Sequence, residues 1–154
     1  MIQIVKDTRP WFFLQTTHST YGMRVMETGH LEHLYYGERI TVDTQDSAFC
    51  APLVIQRGFA PGNTCTYDRE HPQISMEDVC LEVGTLGRGD IREPFLEVKF
   101  TDGSVTSDFT FDSYEVITLK EREQCLQASG LPRSYSEVET DSAECLQIVL
   151  QDVT

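Results

Sequence analysis

Short runs rich in Val, Ile, Phe, Tyr and Thr recur along this chain, each closed by turn residues, and none carries a helical period long enough to compete. This pattern restricts the fold more than any other feature. Short strands joined by tight reversals bury their apolar faces by stacking one sheet on another. The expected class is therefore all-β, an antiparallel β-sandwich with at most one short helix. Trp11 to Thr16, Tyr21 to Met26 and His30 to Tyr36 read as a meander. The second and third runs are separated by Glu27, Thr28 and Gly29, where glycine can take the positive φ of a tight turn.

A second hairpin is expected farther on. Phe95 to Phe100 and Val105 to Phe111 flank Asp102 and Gly103, a dipeptide suited to a type I′ turn, and both runs alternate apolar with polar residues. Cys145 to Asp152 reads as another strand, with Leu146, Ile148 and Leu150 on one face. Between the two β regions, Asp43 to Pro94 is rich in turn residues, among them Pro52, Gly58, Pro61, Gly62, Asn63 and Pro72. A short helical turn is expected over Ser75 to Leu81, with Ser75 as its cap. A strand so close to Thr154 suggests that its sheet continues in a longer protein.

Composition narrows the classes of function. The 154 residues are 40% hydrophobic and 24% charged, too apolar for a disordered chain, and no apolar run approaches bilayer length. A net charge of −13 repels phosphate backbones and anionic lipids, so neither nucleic acid nor membrane is expected as a partner. The start, Met1 to Asp7, lacks the basic and apolar regions of a signal peptide, and the expected location is cytoplasmic. Cys50, Cys65, Cys80, Cys125 and Cys145 are odd in number, widely spaced and without a C-x-x-C pair, so free thiols are expected.

Little of the chain carries recognisable chemistry. Gly84, Gly87 and Gly89 have the look of a phosphate loop, but Pro94 and a strand follow where a helix should open. His30 and His33 lie three apart on a strand and point to opposite faces, which leaves them as surface or interface histidines rather than a metal pair. No G-x-S-x-G elbow occurs. Neither a cofactor nor a metal is called for.

Four blocks in order nevertheless match one family. Leu31 to Ile40 (LEHLYYGERI), preceded by Phe13 to Thr16 and Tyr21, resembles the opening of the bacterial α-galactosidases of glycoside hydrolase family 36, melibiase-like enzymes. Gly87 to Pro94 (GRGDIREP), Asp102 to Ser104 with Asp108 and Phe109, and Gly130, Leu131, Pro132 and Tyr135 with Glu144 to Asp152 resemble later segments of the same enzymes.

The resemblance implies that residues 1–154 are the N-terminal β-sandwich portion, the first part of a β-supersandwich, of a longer enzyme whose catalytic (β/α)₈ barrel is absent from this chain. Such enzymes are retaining glycosidases acting on terminal α-galactosides of the melibiose and raffinose type. Two carboxylates roughly 5 Å apart flank the scissile bond, one as nucleophile and one as acid. Both are aspartates of the barrel, so no residue here is named catalytic and the chain alone is expected to be inactive. In tetrameric members of the family a loop of this domain reaches a neighbouring subunit's active site, and the resemblance implies a homotetrameric parent. That loop matches Ile55 to Pro61. Gln56 stands where some relatives place a sugar-binding aspartate; it keeps hydrogen bonding and loses the charge. Arg57 is the other polar candidate for substrate, or simply a solvated arginine. For Asp90, Arg92 and Glu93 a local ion pair is weighed above contact with substrate. The acidic stretch from Glu137 to Glu144 reads as a solvated edge. The rival reading is a stand-alone carbohydrate-binding or oligomerisation module, with Trp11 and Tyr35 or Tyr36 as its platform.

Overall fold

The first four strands form one antiparallel sheet in chain order: β1 (Ile2–Val5), β2 (Trp11–Gln15), β3 (Ser19–Val25) and β4 (Leu31–Glu38). The computed structural model describes residues 1–54, 66–86, 89 and 90, 93–118, 121 and 122, and 144–154. The expected meander is present, and its reversals follow from local chemistry. Between β2 and β3 the Thr16 hydroxyl accepts from the amides of His18 and Ser19 at 3.2 and 2.9 Å. Between β3 and β4 the Gly29 amide donates to the Met26 carbonyl at 3.0 Å, with Gly29 at φ +88°.

Register decides the two faces of this sheet. Ile4 lies opposite Phe12, Phe12 opposite Met23, and Val25 opposite Leu31, so one face carries these apolar residues. Val5, Trp11 and Phe13 fall on the other. Trp11 to Leu14 is a continuous apolar run because both faces of β2 are covered. On the first face lies a second antiparallel sheet, β7 (Phe109–Thr118) with β8 (Glu144–Asp152). Its Phe111, Tyr114, Leu146, Ile148 and Leu150 pack on the buried Phe12, Val25 and Leu31. On the second face a 3₁₀ segment, Ser47–Leu53, lays Phe49 and Leu53 against Val5, Phe13 and Cys50. Phe12 and Phe13 are fully buried on opposite sides of one strand, and each burial contributes about 1.5–3 kcal/mol.

Three polar contacts tie the β7–β8 sheet to the first. The Phe111 amide donates to the Gly29 carbonyl at 2.7 Å, and the Ile2 amide to the Glu144 carboxylate at 2.9 Å. His30 and Asp108 meet at 2.7 Å, both buried. A minor parallel pair, β5 (Thr85–Leu86) and β6 (Gly89–Asp90), comes between the two sheets in chain order.

The fold is thus mostly β, with antiparallel sheets of four and two strands. Two expectations need correction. At Asp102 and Gly103 the tight turn forms, with Gly103 at φ +90° and the Phe100 amide donating to the Ser104 carbonyl at 2.9 Å. The ladder does not extend from it. Phe95 stays 78% exposed, and β7 pairs instead with β8, whose Leu146, Ile148 and Leu150 bury against Phe12. A surface strand over 95–100 would bury far less apolar area, so the long-range partner prevails. The helical turn at Ser75 to Leu81 shrinks to a 3₁₀ turn over Met76–Asp78, and Ser75 makes no side-chain cap.

Candidate functional site

Gln15 is the polar residue that breaks the apolar run of β2, and it shares a face with Trp11 and Phe13. Residues beyond β4 cross over that face, and Gln15 holds them there. Its Nε2 donates to the Ile40 carbonyl at 2.7 Å and to the Thr20 hydroxyl at 3.0 Å, while Thr20 Oγ1 accepts from the Ile40 amide at 3.1 Å. Gln15 is 7% exposed and Thr20 fully buried, so this network replaces the water both side chains lose. Beside it opens a cleft of about 310 Å³, lined by Gln3, Gln15, Arg39 and Thr41 with Met1, Ile40 and Val42. Arg39 is anchored by donating to the Thr16 carbonyl at 3.1 Å. The N-terminal ammonium donates to the Gln15 carbonyl at 3.0 Å. Among the described residues no carboxylate lines the cleft, in a chain of net charge −13.

A second cluster lies on the opposite face. Tyr21 donates to Glu82 Oε2 at 2.5 Å, His33 Nδ1 meets Glu82 Oε1 at 3.1 Å, and the Tyr21 ring packs against His33 and the exposed Tyr36. Burial, then the bond to Glu82, raises the Tyr21 phenol well above its ordinary range, so it remains a donor. The backbone explains the cluster. The His33 amide donates to the Cys80 carbonyl and the Glu82 amide to the Leu31 carbonyl, which lays residues 80–82 along the edge of β4. Both carboxylate oxygens of Glu82 are engaged, and the cluster is a clamp on that edge.

The two histidines therefore have separate partners. His33 is half-buried in the clamp. His30, expected at a surface or interface, is 2% exposed, with Nδ1 on Thr28 Oγ1 at 2.9 Å and Nε2 on Asp108. Tyr67 donates to the other oxygen of Asp108 at 3.0 Å and stands edge-on to the His30 ring. The sheet-on-sheet contact buries this histidine; its own strand pattern carries no such signal.

Of the platform aromatics, Trp11 lies under the Arg24 guanidinium on the Phe13 side, Tyr35 donates to the Glu38 carbonyl, and Tyr36 is 73% exposed next to Tyr21. Trp11 and Tyr36 occupy opposite faces, so that pair forms no common surface. Gly89 and Asp90 are extended in β6 and open no helix. Glu144 accepts from the start of β1. Gln56 and Arg57 lie outside the described residues, as do Arg92 and the side chain of Asp90, so the loop and the ion pair expected there are not part of this geometry. Cys50, Cys80 and Cys145 are unpaired; Cys65 and Cys125 lie outside the described residues.

Among the described residues, no group of three or more His, Cys, Asp or Glu side chains is placed to hold a metal ion. Comparison with known proteins supplies what the local chemistry does not. Over 154 residues the chain is 35% identical to the bifunctional alpha-galactosidase/sucrose kinase AgaSK of Mediterraneibacter gnavus, covering 99% of this chain and 15% of that protein. The solved galactosidase domain of AgaSK superposes with a TM-score of 0.71 at 29% identity, over 97% of this chain and 19% of that one. An AgaA variant from Geobacillus stearothermophilus, solved in complex with raffinose, shares the fold at a TM-score of 0.67 and 24% identity, over 92% of this chain and 18% of that one. The chain spans less than a fifth of the length of these relatives. Residues 29–154 match the glycosyl hydrolase family 36 N-terminal domain, and the chain belongs to that family.

Proposed function

We propose that residues 1–154 are the non-catalytic front portion of a cytoplasmic, retaining α-galactosidase that hydrolyses raffinose-type α-galactosides, with its paired carboxylates on a barrel beyond this chain. One observation carries the reading: similarity extends along nearly all of this chain yet covers only 15% of AgaSK. A fragment of that extent holds the sandwich and lacks the nucleophile and acid that retention requires. The test compares the complete gene product with the 154-residue chain for galactose release from raffinose. The complete product turns over and the short chain does not. Turnover by the short chain that is lost on substituting its own acidic residues would overturn the assignment.

In the same reading the parent is a homotetramer, and the loop from Ile55 to Pro61 is lent to a neighbouring active site. Gln56 and Arg57 there contact the sugar hydroxyls. Replacing both with alanine in the parent raises KM or lowers kcat with the tetramer intact by light scattering. Unchanged kinetics would remove the loop from the site.

A further inference from the structure

We infer that the arm from Phe95 to Thr106 is a docking surface for the remainder of the parent enzyme, the sequence that follows residue 154 there. This depends on residues 1–154 being the front portion of a longer protein, and not on which sugar that protein acts on. Every residue of the arm is exposed except the half-buried Val98. Phe95, Leu96, Phe100 and Val105 are among the exposed ones, while comparable side chains of β2, β7 and β8 are packed between the sheets.

The arm is nevertheless held in shape. The fully buried Thr85 fastens both of its feet: it bridges to Leu96, whose amide donates to the Gly84 carbonyl at 3.3 Å, and its hydroxyl donates to the Ser107 carbonyl at 2.6 Å. The tip is closed by the Gly103 amide on the Phe100 carbonyl at 3.0 Å and the Ser104 amide on Asp102 Oδ1 at 2.9 Å. Between foot and tip, the backbone of Glu97, Val98 and Lys99 makes no hydrogen bond among the described residues. A preformed arm with apolar side chains and open backbone groups accepts a neighbouring strand or apolar surface at little ordering cost. Left bare, the same features invite aggregation.

Two observations choose the occupant. The chain spans less than a fifth of the length of its relatives, so most of a parent of that size lies outside these residues. A second copy is opposed by charge, because each carries −13 and one narrow arm would have to overcome the repulsion. The arm's own charges, Glu97, Lys99 and Asp102, are of both signs and select neither a polyanion nor a polycation.

The test compares amide hydrogen exchange over residues 95–106 in the complete gene product and in the 154-residue chain. Exchange there should be at least about tenfold slower in the complete product, with β2 and β3 amides protected alike in both. Phe95→Asp combined with Val105→Asp, at positions exposed in the short chain, should restore fast exchange to the arm and lower the Tm of the complete product by several degrees. The Tm of the short chain should not change. Equal exchange over 95–106 in the two proteins, or a double variant that leaves the complete product's exchange and Tm untouched, would overturn the inference. So would dissociation of the complete product's oligomer by the double variant, or a dimer of the short chain that the variant abolishes, since either makes a second copy the occupant. Galactose release from raffinose is read separately: a complete product that protects the arm and releases no galactose would refute the proposed substrate and leave the docking surface standing.

Discussion

Removing the Phe12 ring should separate the two sheets energetically. Phe12 is fully buried at their interface, edge-on to Tyr114 with ring centroids 5.1 Å apart and tilted against Phe111 at 6.3 Å. Phe12→Ala removes the transfer energy of a buried ring and leaves a cavity between sheets that cannot close fully, a loss of about 3–5 kcal/mol. For a chain of this length that lowers Tm by roughly 6–20 °C. Part of the loss belongs to the pair with Tyr114. In a double-mutant cycle with Tyr114→Ala the double mutant should lose about 0.5–1.5 kcal/mol less than the sum of the singles. The assay is urea unfolding of the four proteins, read as midpoint shifts at constant m. A single-mutant loss under about 1 kcal/mol, with coupling inside about 0.3 kcal/mol, would refute the packing of β7–β8 on this face.

Gly29→Ala should destabilise by about 2–5 kcal/mol, because the residue sits at φ +88° and a Cβ there would meet Thr110 Cβ at 3.1 Å; thermal melts would register it, and a neutral outcome would mean the turn differs. Asp108→Asn replaces one of the two carboxylate oxygens that His30 and Tyr67 approach by an NH₂ and removes the charge, and should cost about 1–3 kcal/mol in urea unfolding. Burial pushes the Cys50 thiol up to about 11, so its protonated state favours the fold. The unfolded chain releases that proton near the ordinary value and the folded chain holds it. The contribution is full below the ordinary thiol pKa of 9.0 and is lost as pH rises to about 11. Iodoacetamide at pH 9 should therefore label the exposed Cys80 first and Cys50 only with denaturant, as mass spectrometry of peptides would report.

The meander was legible because it is local. Its strands lie within a few residues of one another, Gly29 supplies the positive φ its turn needs, and Leu146, Ile148 and Leu150 announce β8 by their period of two. The family match was legible in the same way, through blocks such as Leu31 to Ile40. Strand partners were not. The run from Phe95 to Phe100 alternates like a strand and has a suitable turn after it, yet β7 takes β8 as its neighbour, because that choice is set by which pairing buries more apolar area on Phe12. Side-chain environment escaped for the same reason. His30 and Gln15 each read as polar positions on a strand, and only the arrival of Asp108 from β7's approach and of Ile40 across the sheet makes one a buried pin and the other the wall of a cleft. A strand's period states which residues share a face; what covers that face depends on segments tens of residues away, and tertiary packing alone decides it.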